Sequence, residues 1–257
     1  NDIQTILYLI NSMPILLQII STTNTMNTNK VKDICVWTIG NMLSFNDNSI
    51  TIIAMKNGTF FSILNYLYIT IIEFQNNNNV NNISNNNRND IVNRLTTLLW
   101  TLCNIIKSNK YTEIDNNNDI IITITSVFNF HNKAIDNTVL SRYLNPIFNI
   151  LVLYTNDNVL HEKLCYEVIW ITVYLLTYNN TIVNNLLYNT NLVHCLNSLI
   201  SYFRINFDST NNISTNYTIE MLNNNLLLLP LIRSIGNILS GSNEWSELFL
   251  SNNNNEN

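Results

Sequence analysis

Four short phrases in this chain each put a ring or a cation one helical turn from a side chain that hydrogen-bonds. They read Trp37-Thr-Ile-Gly-Asn41, Trp100-Thr-Leu-Cys-Asn104, Trp170-Ile-Thr-Val-Tyr174 and Arg233-Ser-Ile-Gly-Asn237. On a helix, positions i and i+4 share a face. An indole face attracts the ammonium of Lys or the guanidinium of Arg. The long stem of a Lys side chain can lie along the ring while its charge stays wet. An Asn amide one turn away offers both a donor and an acceptor, which suits the main chain of an extended peptide. A ladder of such pairs is what a groove for a basic peptide needs. Trp245 has Phe249 four residues on and no amide. It reads as core.

Other chemistries find little support. The histidines are His131, His161 and His194. His161 and Cys165 have a spacing that could share a metal, but no further ligand of a recognised pattern accompanies them. The expectation is no metal, no cofactor and no enzyme. Four glycines and no GxGxxG or Walker pattern leave no phosphate-cradling loop. The few basic residues form no stripe with aromatics, and the net charge is −5, so no nucleic-acid surface is expected. Cys35, Cys103, Cys165 and Cys195 form no CxxC, and three lie in apolar helical stretches. They read as buried free thiols of a reducing compartment.

The elements that carry the phrases recur. The phrases begin at 37, 100, 170 and 233, at spacings of 63, 70 and 63 residues. The intervals contain polar filler: 76–89, then 109–119 and 129–137, then 206–225. Without it the periods shrink to roughly 43–50, at or just above the armadillo and HEAT range. Each interval reads as three apolar segments, the last carrying the phrase. These are 3–10, 14–20 and 31–43; 50–55, 60–72 and 91–106; 120–127, 146–154 and 159–176; and 182–187, 192–203 and 226–239. Pro14, Pro146 and Pro230 are expected at helix starts, where a missing N–H does no harm. Gly58 is expected to make the corner between two helices with a positive φ.

This pattern, with no sustained strand alternation, predicts an all-α chain: one α-solenoid of three-helix units over 1–257. The approximate units are 1–45, 46–108, 109–178 and 179–241, with a further unit starting at 242–257. The Asn-rich insertions are expected to be disordered. Hydrophobic residues make up 46% of the chain, enough for a core, while only 11% are charged and about a fifth are Asn. No apolar run reaches the roughly 18 residues of a membrane span, and no signal peptide opens the chain. The end units lack polar caps, so neighbouring units are expected beyond both ends, or exposed apolar faces.

The four phrases resemble those of importin-α (karyopherin-α), the armadillo-repeat receptor for nuclear localisation signals. In that family the corresponding helices read Trp-Ala-Leu-Gly-Asn, Trp-Thr-Leu-Ser-Asn, Trp-Ala-Leu-Ser-Tyr and Pro-Ala-Leu-Arg-Ala-Val-Gly-Asn-Ile-Val-Thr-Gly. The last is matched here by Pro230-Leu-Ile-Arg233-Ser-Ile-Gly-Asn237-Ile-Leu-Ser-Gly241. The order of the variants agrees, including the switch to Tyr174 and then to Arg233. The resemblance covers nearly the whole chain and corresponds to the family's second to fifth repeats. It implies a right-handed superhelix of armadillo units and a nuclear import adaptor that shuttles between cytoplasm and nucleus. It also implies that Trp37, Trp100 and Trp170 wall the lysine slots and that Asn41, Asn104 and Asn237 hold the peptide backbone. Tyr174 and Arg233 stand at the variant positions. Basic signal peptides are the implied partners. Importin-β is a partner of the family through an amino-terminal segment absent from this sequence. The rival reading is an armadillo-repeat scaffold that binds another protein without recognising the signal.

Overall fold

A computed structural model of the chain describes residues 3–22, 26–45, 48–78, 85–109, 137–156, 158–178, 180–210 and 225–251. The described residues form eleven α-helices and no strand. They belong to two compact units, Asn1–Ala134 and Ile135–Asn257. The apolar stretch 120–127 lies outside the described residues.

The first unit holds α1 (Ile3–Ser21), α2 (Met26–Ser44), α3 (Asn48–Lys56), α4 (Thr59–Asn78) and α5 (Asn85–Asn109). α2 packs on α5, α4 on α5, and α1 on α2. Two of the segments expected to be separate helices, 3–10 and 14–20, are one: Pro14 lies inside α1. Met13, Leu17 and Ile20 are buried at i, i+4 and i+7. That stripe runs past the proline, and its burial offsets the roughly 3 kcal/mol that an interior proline costs. Pro146 likewise lies in mid-helix, between buried Leu144 and buried Ile147 and Phe148. Only Pro230 stands near a helix start. The corner at Gly58 is as expected. Its φ is 77°, and the Asn57 and Gly58 amides close back on Ile53 O and Met55 O at 3.0 Å.

The Asn-rich stretch 76–89 is not all filler. α4 continues through Asn78 and α5 begins at Asn85. A helix already nucleated extends at a small cost per residue, so a few asparagines do not stop it. The same holds at the start of 206–225, where helix persists through Thr210.

One ion cluster ties three helices of this unit together. Arg94 of α5 donates from Nε to Asp33 of α2 at 3.1 Å and from Nη1 to Glu73 of α4 at 3.2 Å. The Tyr66 hydroxyl of α4 donates to the same Asp33 oxygen at 3.2 Å. Lys32 is buried, donates to Thr22 O and holds its ammonium 5.4 Å from the Tyr66 ring centre. Burial raises the Asp33 carboxyl above its usual range, against the pull of Arg94. Burial alone would lower Arg94, but Asp33, Tyr66 and Glu73 outweigh it and raise that group.

The second unit holds α6 (Asn137–Asn156), α7 (Asn158–Leu175), α8 (Asn180–Asn189), α9 (Leu192–Thr210), α10 (Leu228–Leu239) and α11 (Asn243–Ser251). α6 packs on α7 and α9, and α10 packs on α7. Asn191, at the corner before α9, donates its backbone N–H to Asn145 Oδ1 at 3.0 Å and its amide to Asn149 of α6. Trp245 of α11 is core, as its sequence context predicts. It is buried, donates from Nε1 to Asn184 Oδ1 at 2.6 Å, and covers Gly241 so closely that no Cβ would fit there. The four cysteines are free and buried. Burial pushes the Cys195 thiol up to about 12, so it is no ready nucleophile. No described helix is long and apolar enough to cross a membrane.

The Arg94 cluster gives a test of the first unit. Replacing Arg94 by Ala leaves the part-buried Asp33 without its cation, while Glu73 stays open to water, and is expected to cost about 1–3 kcal/mol in urea unfolding. Arg94→Ala combined with Asp33→Asn is expected to recover part of that loss.

Candidate functional site

Each unit places two phrases side by side on parallel helices. In the first unit the phrase helices are α2 and α5. Thr101 Oγ1 donates to Val36 O at 3.3 Å and Asn104 Nδ2 donates to Gly40 O at 3.3 Å. The two contacts advance in the same sense along both helices, so α2 and α5 run parallel. In the second unit the phrase helices are α7 and α10. Asn237 Nδ2 donates to Val173 O at 3.3 Å, and the Arg233 guanidinium lies 5.5 Å from the Trp170 ring centre. The fifth residue of one phrase thus bonds the fourth residue of the phrase before it, in both units.

The space for this approach comes from small or compact residues at the fourth position. Gly40 lies directly under the Trp100 ring: a Cβ there would collide with Trp100 Cζ3 and lie 2.6 Å from Thr101 Oγ1. Gly236 holds the same place in its phrase, yet among the described residues nothing lies within 4 Å of its Cβ position. In the third phrase Val173 is buried.

The first unit brings Trp37, Asn41, Trp100 and Asn104 onto two neighbouring helices. Trp37 is 57% exposed. Its indole stands in solvent on α2, and Asn41 Nδ2 turns back to donate to Trp37 O at 3.0 Å. Trp100 is half-buried. Asn104 spends one amide hydrogen on the neighbouring helix, and its Oδ1 has no described donor. In the second unit Trp170 is half-buried as well, but its ring has neighbours. Tyr174 stacks on it, with ring centres 5.8 Å apart and planes 29° apart. Tyr166 meets its edge at 6.3 Å, and Arg233 covers it. Its Nε1 is buried with no described acceptor. The two units thus differ: the first offers an open indole, the second an indole already holding a cation.

Two residues beside this arrangement were not singled out from the sequence. Tyr166 stands four residues before Trp170, so the same i, i+4 rule that marks Tyr174 marks it too. Glu167 stands three residues before Trp170, on the same side of α7. Burial pushes its carboxyl up to about 7. An acid one turn from an indole is a visible signal for a cation site, but its half-buried setting is a product of packing.

With this geometry in hand, comparison with protein-family models and with curated proteins finds no match.

The two glycines yield a paired test. Gly40→Ala must push Trp100 off its seat and is expected to destabilise by about 1–3 kcal/mol. Gly236→Ala meets open space and is expected to stabilise by about 0.5–1 kcal/mol through lost backbone freedom in the unfolded chain. Denaturant titration of both variants checks the opposite signs.

Proposed function

We propose that the chain is an armadillo-type α-solenoid that acts as a nuclear import adaptor. On this reading it binds Lys- and Arg-rich localisation signals along its phrase helices, without catalysis, and works in both cytoplasm and nucleus. The observation that carries this reading is the phrase-to-phrase register. In both units an amide at the fifth position reaches the carbonyl at the fourth position of the preceding phrase. That register sets rings and amides of successive phrases side by side, which a peptide lying across the helices requires. It joins the agreement of four different phrases, in order, with those of importin-α.

Each ring site contributes about 1–2 kcal/mol when a cation is partly desolvated over it. Several such sites with main-chain bonds to Asn support micromolar binding. Trp37 and Trp100 supply ring faces in the first unit, with Asn41 and Asn104 for the peptide backbone. In the second unit Trp170, Tyr174 and Asn237 do so, and Arg233 occupies the cation position over Trp170. That occupancy favours the second reading at this one place: a scaffold surface already filled by its own cation. A peptide basic residue there must displace Arg233 or pass beside it toward Glu167.

A labelled Lys-Lys-x-Lys peptide is expected to bind at about micromolar Kd and more weakly at higher salt. Trp37→Ala with Asn41→Ala removes exposed groups and is expected to weaken binding about tenfold or more with the helices intact by circular dichroism. Trp100→Ala with Asn104→Ala should do the same. No binding at low or physiological salt, or equal binding by both double variants, would sink the reading in favour of the scaffold.

Glu167 adds a pH dependence. Its carboxyl, held up to about 7 by burial, is mostly neutral at pH 6 and mostly ionised at pH 8. A cationic peptide is drawn only by the ionised form, so affinity is expected to rise several-fold between pH 6 and pH 8. Glu167→Gln should flatten that rise for a peptide without His.

A further inference from the structure

The second unit makes, within itself, the kind of contact that a basic ligand would make. α10 packs on α7, and Asn237 Nδ2 donates to Val173 O at 3.3 Å, which holds the two helices in register. Arg233 lies one turn before Asn237, and Trp170 lies three residues before Val173. The same bond therefore brings that side chain beside that ring. The guanidinium carbon stands 5.5 Å from the ring centre, within reach of cation–π attraction. The ring is already in place for a cation. Tyr174 stacks on it from one turn ahead, and Tyr166 meets its edge from one turn behind. Little rotamer freedom is left for the indole to lose when a cation arrives. Aligned on the phrases, the residue of α5 that corresponds to Arg233 is Trp100. The register of the first unit thus sets a ring, and that of the second unit a cation, at the same place.

We propose that Arg233 is a built-in competitor at Trp170, a tethered ligand mimic that decides which ring sites a basic peptide uses. Arg233 can play this part only if basic peptides are ligands, so the assignment rests on the import reading. With Arg233 over the ring, an incoming Lys or Arg meets a like charge where its own head would sit. It engages Trp170 only when Arg233 swings into water. Arg233 is exposed, so that swing needs no unfolding of the helices. Cation–π attraction at a part-exposed ring favours the closed state about two- to fivefold. A site open for only the remaining fraction of the time binds about three- to sixfold more weakly. The rings of the first unit, Trp37 and Trp100, therefore take the basic residues of a ligand at lower concentration than Trp170 does. Arg233 is on this view a specificity-determining residue: it sets the first unit, not the second, as the reader of a short basic cluster.

The test follows the indole N–H signals of Trp37, Trp100 and Trp170 by NMR in the whole chain while a Lys-Lys-x-Lys peptide is added at physiological salt. Wild type is compared with Arg233→Gln, which keeps a polar side chain without the charge, and with Arg233→Lys, which keeps a cation. Arg233 is exposed, so both variants are expected to keep the circular dichroism of wild type. In Arg233→Gln the Trp170 signal is expected to move at about three- to sixfold lower peptide concentration than in wild type. Arg233→Lys is expected to behave like wild type, because its ammonium also rests on the ring. Equal peptide response of Trp170 in wild type and Arg233→Gln would overturn the proposal. So would a Trp170 signal that stays still in both while Trp37 and Trp100 respond, or an Arg233→Lys protein that behaves like Arg233→Gln. The import reading survives each of those results. No response at any of the three indoles in any of the three proteins would remove the import reading and the competitor role with it.

Discussion

The close approach of one phrase helix to the next is the constraint on which the rest depends. It is made by an Asn amide reaching a main-chain carbonyl 64 residues earlier, at 3.3 Å in both units. A helix carbonyl already accepts one bond within its own helix and has a second lone pair to give. Only a neighbour with a short amide, over a fourth position that does not block it, can use that lone pair. Helices held in this way run parallel and in register. Their ring residues then fall on neighbouring turns rather than scattered around the unit.

The rest of each unit serves that register. In the first, the Arg94 cluster joins α2, α4 and α5 through Asp33, Glu73 and Tyr66. Such clusters contribute little net stability compared with apolar packing, but they are costly to break and so fix which helix faces meet. In the second, the asparagines around Asn191 and the indole of Trp245 fasten the corners through neutral hydrogen bonds. A chain with so few charged residues uses amides for work often done by ion pairs.

Gly40 and Gly236 show how one phrase position acquires different roles. Beneath Trp100, Gly40 is a packing necessity. At Gly236 the same residue leaves an open seat, edged by exposed Ile232 and Leu239. A similar divergence separates Trp37, which stands in solvent, from Trp170, on which Tyr174 stacks and over which Arg233 lies. Side chains drawn from one repeated pattern therefore present an open surface in one place and a filled one in another.

The sequence by itself determined the helical character, the phrase helices, the corner at Gly58 and the buried thiols. Each of these follows from local rules: apolar periodicity, a positive φ that only Gly takes without strain, and the preference of thiols for the interior. It misplaced Pro14 and Pro146, because a proline's local cost is visible in sequence while the burial that offsets it is not. It also read the ends of the Asn-rich stretches as filler, although helices already nucleated run into them. The tertiary structure alone decided which phrase residues are exposed, that Arg233 turns onto Trp170, and that Glu167 is buried enough to hold its proton to about 7. Those outcomes depend on which neighbour comes within a few ångströms, and spacing along one helix carries no information about the helix beside it.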